Sequence, residues 1–147
     1  MEMHIKLGIP TNEQIDKLRS KLNKIDIKVS EKYLDFLKQN GGGQPLKESF
    51  IDTTGKEIFI NCFWGISDNL SLDLYHFVVT LLGIVPKGLM PIGTDGIGNI
   101  ICIGIEKQNL DKVYIWWENE GQEIVEDPSY DNVEQIANSF DELISLL

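Results

Sequence analysis

Apolar residues recur at two spacings along this chain, and the changes of spacing mark its elements. Over residues 11–25, Ile15, Leu18, Leu22 and Ile25 recur at helical intervals, while Lys17, Lys21 and Lys24 lie largely off that stripe. Thr11 is placed to accept the backbone N–H of Gln14, whose side chain reaches back, so a capping box opens this helix. A second helix starts after Ser30, carries Tyr33, Phe36 and Leu37 on its apolar face, and stops at Asn40-Gly41. The two form an N-terminal helical hairpin.

The middle of the chain changes to strand composition. Glu57–Trp64 is rich in Ile, Phe and Trp and bounded by glycine, and Phe50-Ile51 can pair with it across the Asp52–Lys56 turn. Leu72–Leu82 has helical length, a cap at Asn69 or Ser71, and a stop at Gly83; it is apolar almost all round and is expected to be heavily buried. Pro91–Asn99 reads as a turn that feeds the strand Ile100–Ile105, whose consecutive apolar residues place it inside a sheet covered on both faces. Lys112–Trp117 is another strand, and Glu123–Val125 a short edge strand. Val133, Ile136, Ala137, Phe140, Leu143, Ile144 and Leu147 predict one closing helix. The expected fold is α+β: a mainly antiparallel sheet flanked by an N-terminal helical hairpin and a C-terminal helix, in a single domain over residues 1–147.

Composition narrows the class. The chain has 147 residues, 42% of them hydrophobic and 24% charged, enough for one ordinary core. Cys62 and Cys102 lie in apolar runs and read as small buried hydrophobes, not as a disulfide framework. Met1–His4 lacks the basic start and apolar stretch of a signal peptide, and no run approaches the roughly 18 apolar residues of a membrane span, so a cytoplasmic location is expected. The net charge of −10 is uneven: residues 1–40 carry +2, residues 41–105 carry −3, and residues 106–147 carry −9. Such a field repels nucleic acid and anionic lipid and attracts basic proteins.

No catalytic or metal site emerges. His4 lies in a terminus, His76 lies in an apolar segment, and neither has a partner at a recognisable spacing. The cysteines and histidines lack zinc spacing, and Asp95 lacks the alternating acidic residues of a calcium loop. Neither Gly41-Gly42-Gly43 nor Gly93–Gly98 leads from a strand into a helix, so neither is a phosphate cradle, and no cofactor is expected. Trp116 and Trp117 are adjacent in a strand and must face opposite sides. One belongs to the core. The other is available as an aromatic anchor beside the acidic residues Glu118, Glu120, Glu123, Glu126 and Asp127, which form the expected partner-binding set.

Four segments, in order, resemble the SUKH superfamily, which includes the fungal Smi/Knr cell-wall regulators and many bacterial immunity proteins. They are Ser30–Leu37 running into Asn40-Gly41-Gly42, Pro91–Asn99 with the strand after it, Lys112–Trp116, and Ala137–Leu143. In that family an acidic residue and then a histidine often follow the tryptophan of the third segment. Trp117-Glu118 stands there instead, so no role of that histidine carries over. The resemblance implies a sheet flanked by helices, no enzymatic activity, and a protein partner. For a bacterial member it implies an immunity protein that neutralises a cognate toxin, often a nuclease. Nucleases tend to be basic because they bind phosphate backbones, and an acidic inhibitor complements them. The alternative is a regulatory or scaffolding adaptor like the fungal members. A small-molecule or sugar site, or an enzyme, rests only on the Trp- and carboxylate-rich region.

Overall fold

The computed structural model describes residues 1–118 and 124–147. Strand β1 (Met3–Lys6) leads into α1 (Asn12–Asn23) and α2 (Glu31–Asn40). The local chemistry is as expected: Thr11 and Gln14 form a reciprocal capping box, Ser30 caps α2, and Gly41 ends it with φ 73°. Strand β2 (Gly43–Pro45) follows, then the hairpin β3 (Ser49–Ile51) and β4 (Glu57–Phe59). The Asp52 carboxylate holds the hairpin turn by accepting from the Thr54 hydroxyl and from the N–H groups of Thr54 and Lys56.

The expected strand Glu57–Trp64 is divided. Its first part pairs with β3, and its second, β5 (Cys62–Phe63), joins the main sheet. The chain changes partners between them: Ile60 N–H goes to Glu48 O and Asn61 N–H to Thr94 O. The remaining elements are α3 (Leu74–Thr80), β6 (Leu89–Thr94), β7 (Ile100–Gly104), β8 (Val113–Trp116), β9 (Val133–Ala137) and α4 (Phe140–Leu146). The main sheet has the order β1-β2-β5-β6-β7-β8-β9, antiparallel throughout.

Four further expectations need correction. Leu89–Thr94 is a strand, not part of a turn. It tolerates Pro91 through an irregularity between Pro91 and Gly93, and glycine at 93 lets β5 approach, since a Cβ there would lie 2.4 Å from Cys62 O. Helix α3 is capped by Asp73, not by Asn69 or Ser71, and it buries only Leu74 and Val78, leaving Val79 and nearby Leu82 exposed. The closing helix starts at Phe140, capped by Ser139, because Val133–Ala137 instead pairs with the open edge of β8. That makes β9 the edge strand on the β8 side of the sheet, opposite β1. Of the proposed edge strand Glu123–Val125, Glu123 lies outside the described residues. Ile124 and Val125 are irregular, with Val125 N–H donating to Gly83 O.

The core is continuous. Phe63 meets Phe36 of α2 and Phe140 of α4 edge to face, whereas neighbouring Trp64 stacks on Phe77 of α3 at 3.8 Å. Adjacent strand residues point to opposite faces, so the sheet is covered on both sides. Every residue of β7 is accordingly buried, as its unbroken apolar run predicts. Cys62 and Cys102 are buried free thiols; burial pushes Cys62 up to about 11 and Cys102 higher still, which keeps both unreactive. Among the described residues no helix is long and apolar enough to cross a membrane.

Candidate functional site

The pleat of β8 separates the two adjacent tryptophans. Trp116 is buried, paired across the ladder with Ile100 and Val133, and its indole N–H has no acceptor among the described residues. It is a core residue. Trp117 lies just past the strand end and is half-buried. Its indole N–H donates to Glu134 at 3.0 Å, its backbone N–H to Asn132 O at 2.9 Å, and its carbonyl accepts from the Asn132 amide at 2.6 Å. Lys56 of the β3–β4 hairpin places its ammonium 4.9 Å from the Trp117 ring centroid and 2.9 Å from the Glu134 carboxylate. One carboxylate thus holds both the indole and the lysine that covers it. Glu134 was not among the expected site residues, because its segment reads as helix; only its pairing in β9 turns it toward Trp117.

Glu118 is exposed beside the turn Asp95–Asn99. Its backbone N–H donates to Asn99 Oδ1 at 2.8 Å, and its carboxylate lies over Gly98, where a Cβ would come within 2.3 Å of Oε2. Asp95 holds the turn by accepting from the N–H of Ile97 (3.0 Å), the N–H of Asn99 (3.1 Å) and the Asn99 amide (2.7 Å). Thr94 Oγ1 accepts from Gly96 N–H and donates to Asn99 O, each at 3.0 Å.

Glu126 and Asp127 are also exposed but lie at the other end of the sheet. Glu126 borders a groove of about 680 Å³ floored by Ile27, Leu81, Val85 and Ile105, with Lys87 and Glu106 also on its wall. The groove adjoins Leu89 and Gly88, where β6 begins, whereas Glu118 adjoins the turn after Thr94, where β6 ends. Six residues of strand span about 17 Å. Glu120 and Glu123 lie outside the described residues. Trp117 and Glu118 are therefore brought together with Asp95, while Glu126 and Asp127 stand apart from them.

The lowered carboxylates do not mark a reactive centre. The Arg19 guanidinium hydrogen-bonds Glu31 and holds it below the usual range, and the Thr54 hydroxyl does the same for Asp52; Glu31 is exposed, Asp52 is half-buried in its hairpin turn, and neither borders the groove. His4 is exposed on β1, and His76 packs edge-on against Phe77 in α3. Among the described residues no three His, Cys, Asp or Glu side chains gather in a way that could hold a metal ion.

The chain thus forms an antiparallel sheet with helices on both faces and acidic side chains beside its β6–β7 turn. The model of the SMI1 / KNR4 family (SUKH-1) matches residues 9–146, and the chain belongs to that family. No curated protein and no solved structure matches the chain.

Proposed function

We propose that this chain is an immunity protein that binds a cognate toxin and neutralises it by occupation, without chemistry of its own. The observation that carries this reading is family membership over nearly the whole chain. The charge distribution gives it direction. With −9 of the net −10 in residues 106–147, the protein attracts a basic partner, and a nuclease-type toxin is basic for its own reasons. The contact set is centred on Trp117 and Glu118, with Trp116 supporting it from the core; Glu126 and Asp127 give it a second acidic contact at the far end of the sheet, and Glu120 and Glu123 belong to the same acidic set.

Co-expression with the product of the adjacent gene tests the reading. The expected result is rescue of growth and a complex that survives purification. A toxic neighbour that is neither neutralised nor bound overturns it in favour of an adaptor for an endogenous protein. Reversing Glu120, Glu123 and Glu126 to lysine tests the acidic contact separately: affinity should fall and its salt dependence flatten, since fewer opposite charges remain to be screened.

A further inference from the structure

The turn between β6 and β7 presents one apolar side chain to solvent. Ile97 is 80% exposed, the most of any large hydrophobic residue among the described ones. A single exposed isoleucine is ordinary. What distinguishes this one is how its turn is built.

Four of the five backbone N–H groups of residues 95–99 are already engaged inside the turn. The Ile97 N–H and that of Asn99 go to Asp95 Oδ1, the Gly96 N–H goes to Thr94 Oγ1, and the Asp95 N–H goes to Asn99 O. Asn99 is buried, gives its amide to Asp95 Oδ2, and accepts the Glu118 N–H, which ties the turn to the end of β8. Two costs of covering a loop are therefore small here. These amides would not lose hydrogen bonds to water, and the backbone loses little freedom because it is already fixed. Burying the isoleucine side chain is then the main gain, and the partner has to satisfy only the Gly98 N–H and the outward carbonyls of the turn.

The surroundings specify the partner's charge. Asp95 and Glu118 flank the tip, and among the described residues neither makes an ion pair with a cation. The nearby Lys56 is held by Glu134 over the Trp117 ring. We propose that Ile97 is the apolar anchor of the partner interface, entering an apolar pocket on a basic protein whose cationic rim meets Asp95 and Glu118. This deepens the immunity reading above and rests on it.

The test uses the full chain and the toxin domain encoded by the adjacent gene, titrated in a calorimeter. Ile97→Ser should weaken binding by about tenfold or more, and Ile97→Leu should retain most of the affinity, with the thermal midpoint of both unchanged. A second readout uses Ile97→Cys carrying a polarity-sensitive dye. Cys62 and Cys102 are buried, so the label goes to position 97, and its emission should shift to the blue when the toxin domain is added. Wild-type affinity in Ile97→Ser, or a complex that forms with no spectral shift, overturns the anchor and leaves the immunity reading intact. A wild-type chain that does not bind the toxin domain overturns that reading, and the anchor with it.

Discussion

Strand β7 is bracketed by two buried asparagines, Asn99 before its first residue and Asn109 beyond its last, and the two ends they hold differ in kind. Asn99 bridges the Asp95 carboxylate and the Glu118 N–H. Asn109 accepts the Glu106 N–H at 3.0 Å and donates to Gly88 O at 3.1 Å. At each end a carboxylate also lies over a glycine with positive φ, Glu118 over Gly98 and Glu106 over Gly88. Similar fastening supports opposite surfaces. The Asn99 end is acidic and tipped by the exposed Ile97, whereas the Asn109 end borders an apolar groove whose wall mixes Lys28 and Lys87 with Asp26, Glu106 and Glu126. A rigid turn can serve to present a side chain or merely to close a sheet, and the charge around it separates the two uses.

The largest expected effect tests whether the fastening is equivalent. Asn99→Ala and Asn109→Ala should each cost about 1–3 kcal/mol in urea unfolding, because each strands a backbone group that the amide satisfied. Asn99→Ala should weaken partner binding the more of the two, since it alone loosens the turn that carries Ile97. Equal losses of affinity at both ends would erase the distinction.

A somewhat smaller effect comes from the glycines. Gly98→Ala and Gly88→Ala should each cost about 1–2 kcal/mol, chiefly from the positive φ of 105° and 91°. The carboxylates above them are the mobile tips of side chains and can swing aside. A cycle combining Gly98→Ala with Glu118→Ala should therefore recover only a minor part of the loss, towards the low end of the about 0.5–3 kcal/mol seen for touching residues. Full recovery would mean that the clash, not the backbone, sets the requirement for glycine.

These two ends also show how far the residues alone carry the argument. Local chemistry was legible: Thr11 with Gln14, Ser30, and Gly41 each act within a few residues of themselves, and the unbroken run Ile100–Ile105 announced a strand covered on both faces. Strand β6 was not, because Pro91 and Gly93 are poor strand residues whose toleration depends on a bulge and on the approach of β5. Val133, Ile136 and Ala137 fit a helical stripe as well as a strand, and the free edge of β8, twenty residues earlier, decided for the strand. The site divides the same way. Alternation foretold that Trp116 and Trp117 would part, but Glu134 reaches Trp117 only through the β8–β9 pairing, and Asn99 reaches Glu118 only across the β7–β8 ladder.

Glu134→Gln sharpens the account of the Asn99 end with a smaller effect. Glutamine can still accept from the Trp117 indole, so the change removes charge and keeps the hydrogen bond. The Lys56–Glu134 pair is half-exposed, and its loss should cost at most about 1 kcal/mol, shrinking as salt is added. Trp117 emission should change as Lys56 leaves the ring. A cost that salt does not reduce would place the stabilisation in packing instead.

The smallest effect is a reference point away from both ends. Arg19 of α1 pairs with Glu31 at the start of α2, and that hydrogen bond, followed by the attraction of the charges, holds the Glu31 carboxyl below its ordinary value. A carboxyl depressed in the folded state contributes stability above its unfolded pKa, and the contribution drains away as pH falls through the folded value. Both side chains are well exposed, which limits the pair to about 0.2–1 kcal/mol. Arg19→Met should thus lower the thermal midpoint slightly at neutral pH, and the difference should vanish once acid has protonated Glu31 in both states. Partner affinity should not move, because neither residue adjoins the Asp95–Asn99 turn. A change in affinity would require the interface to extend onto the helical hairpin, and the Asn99 end would then be one part of a larger surface.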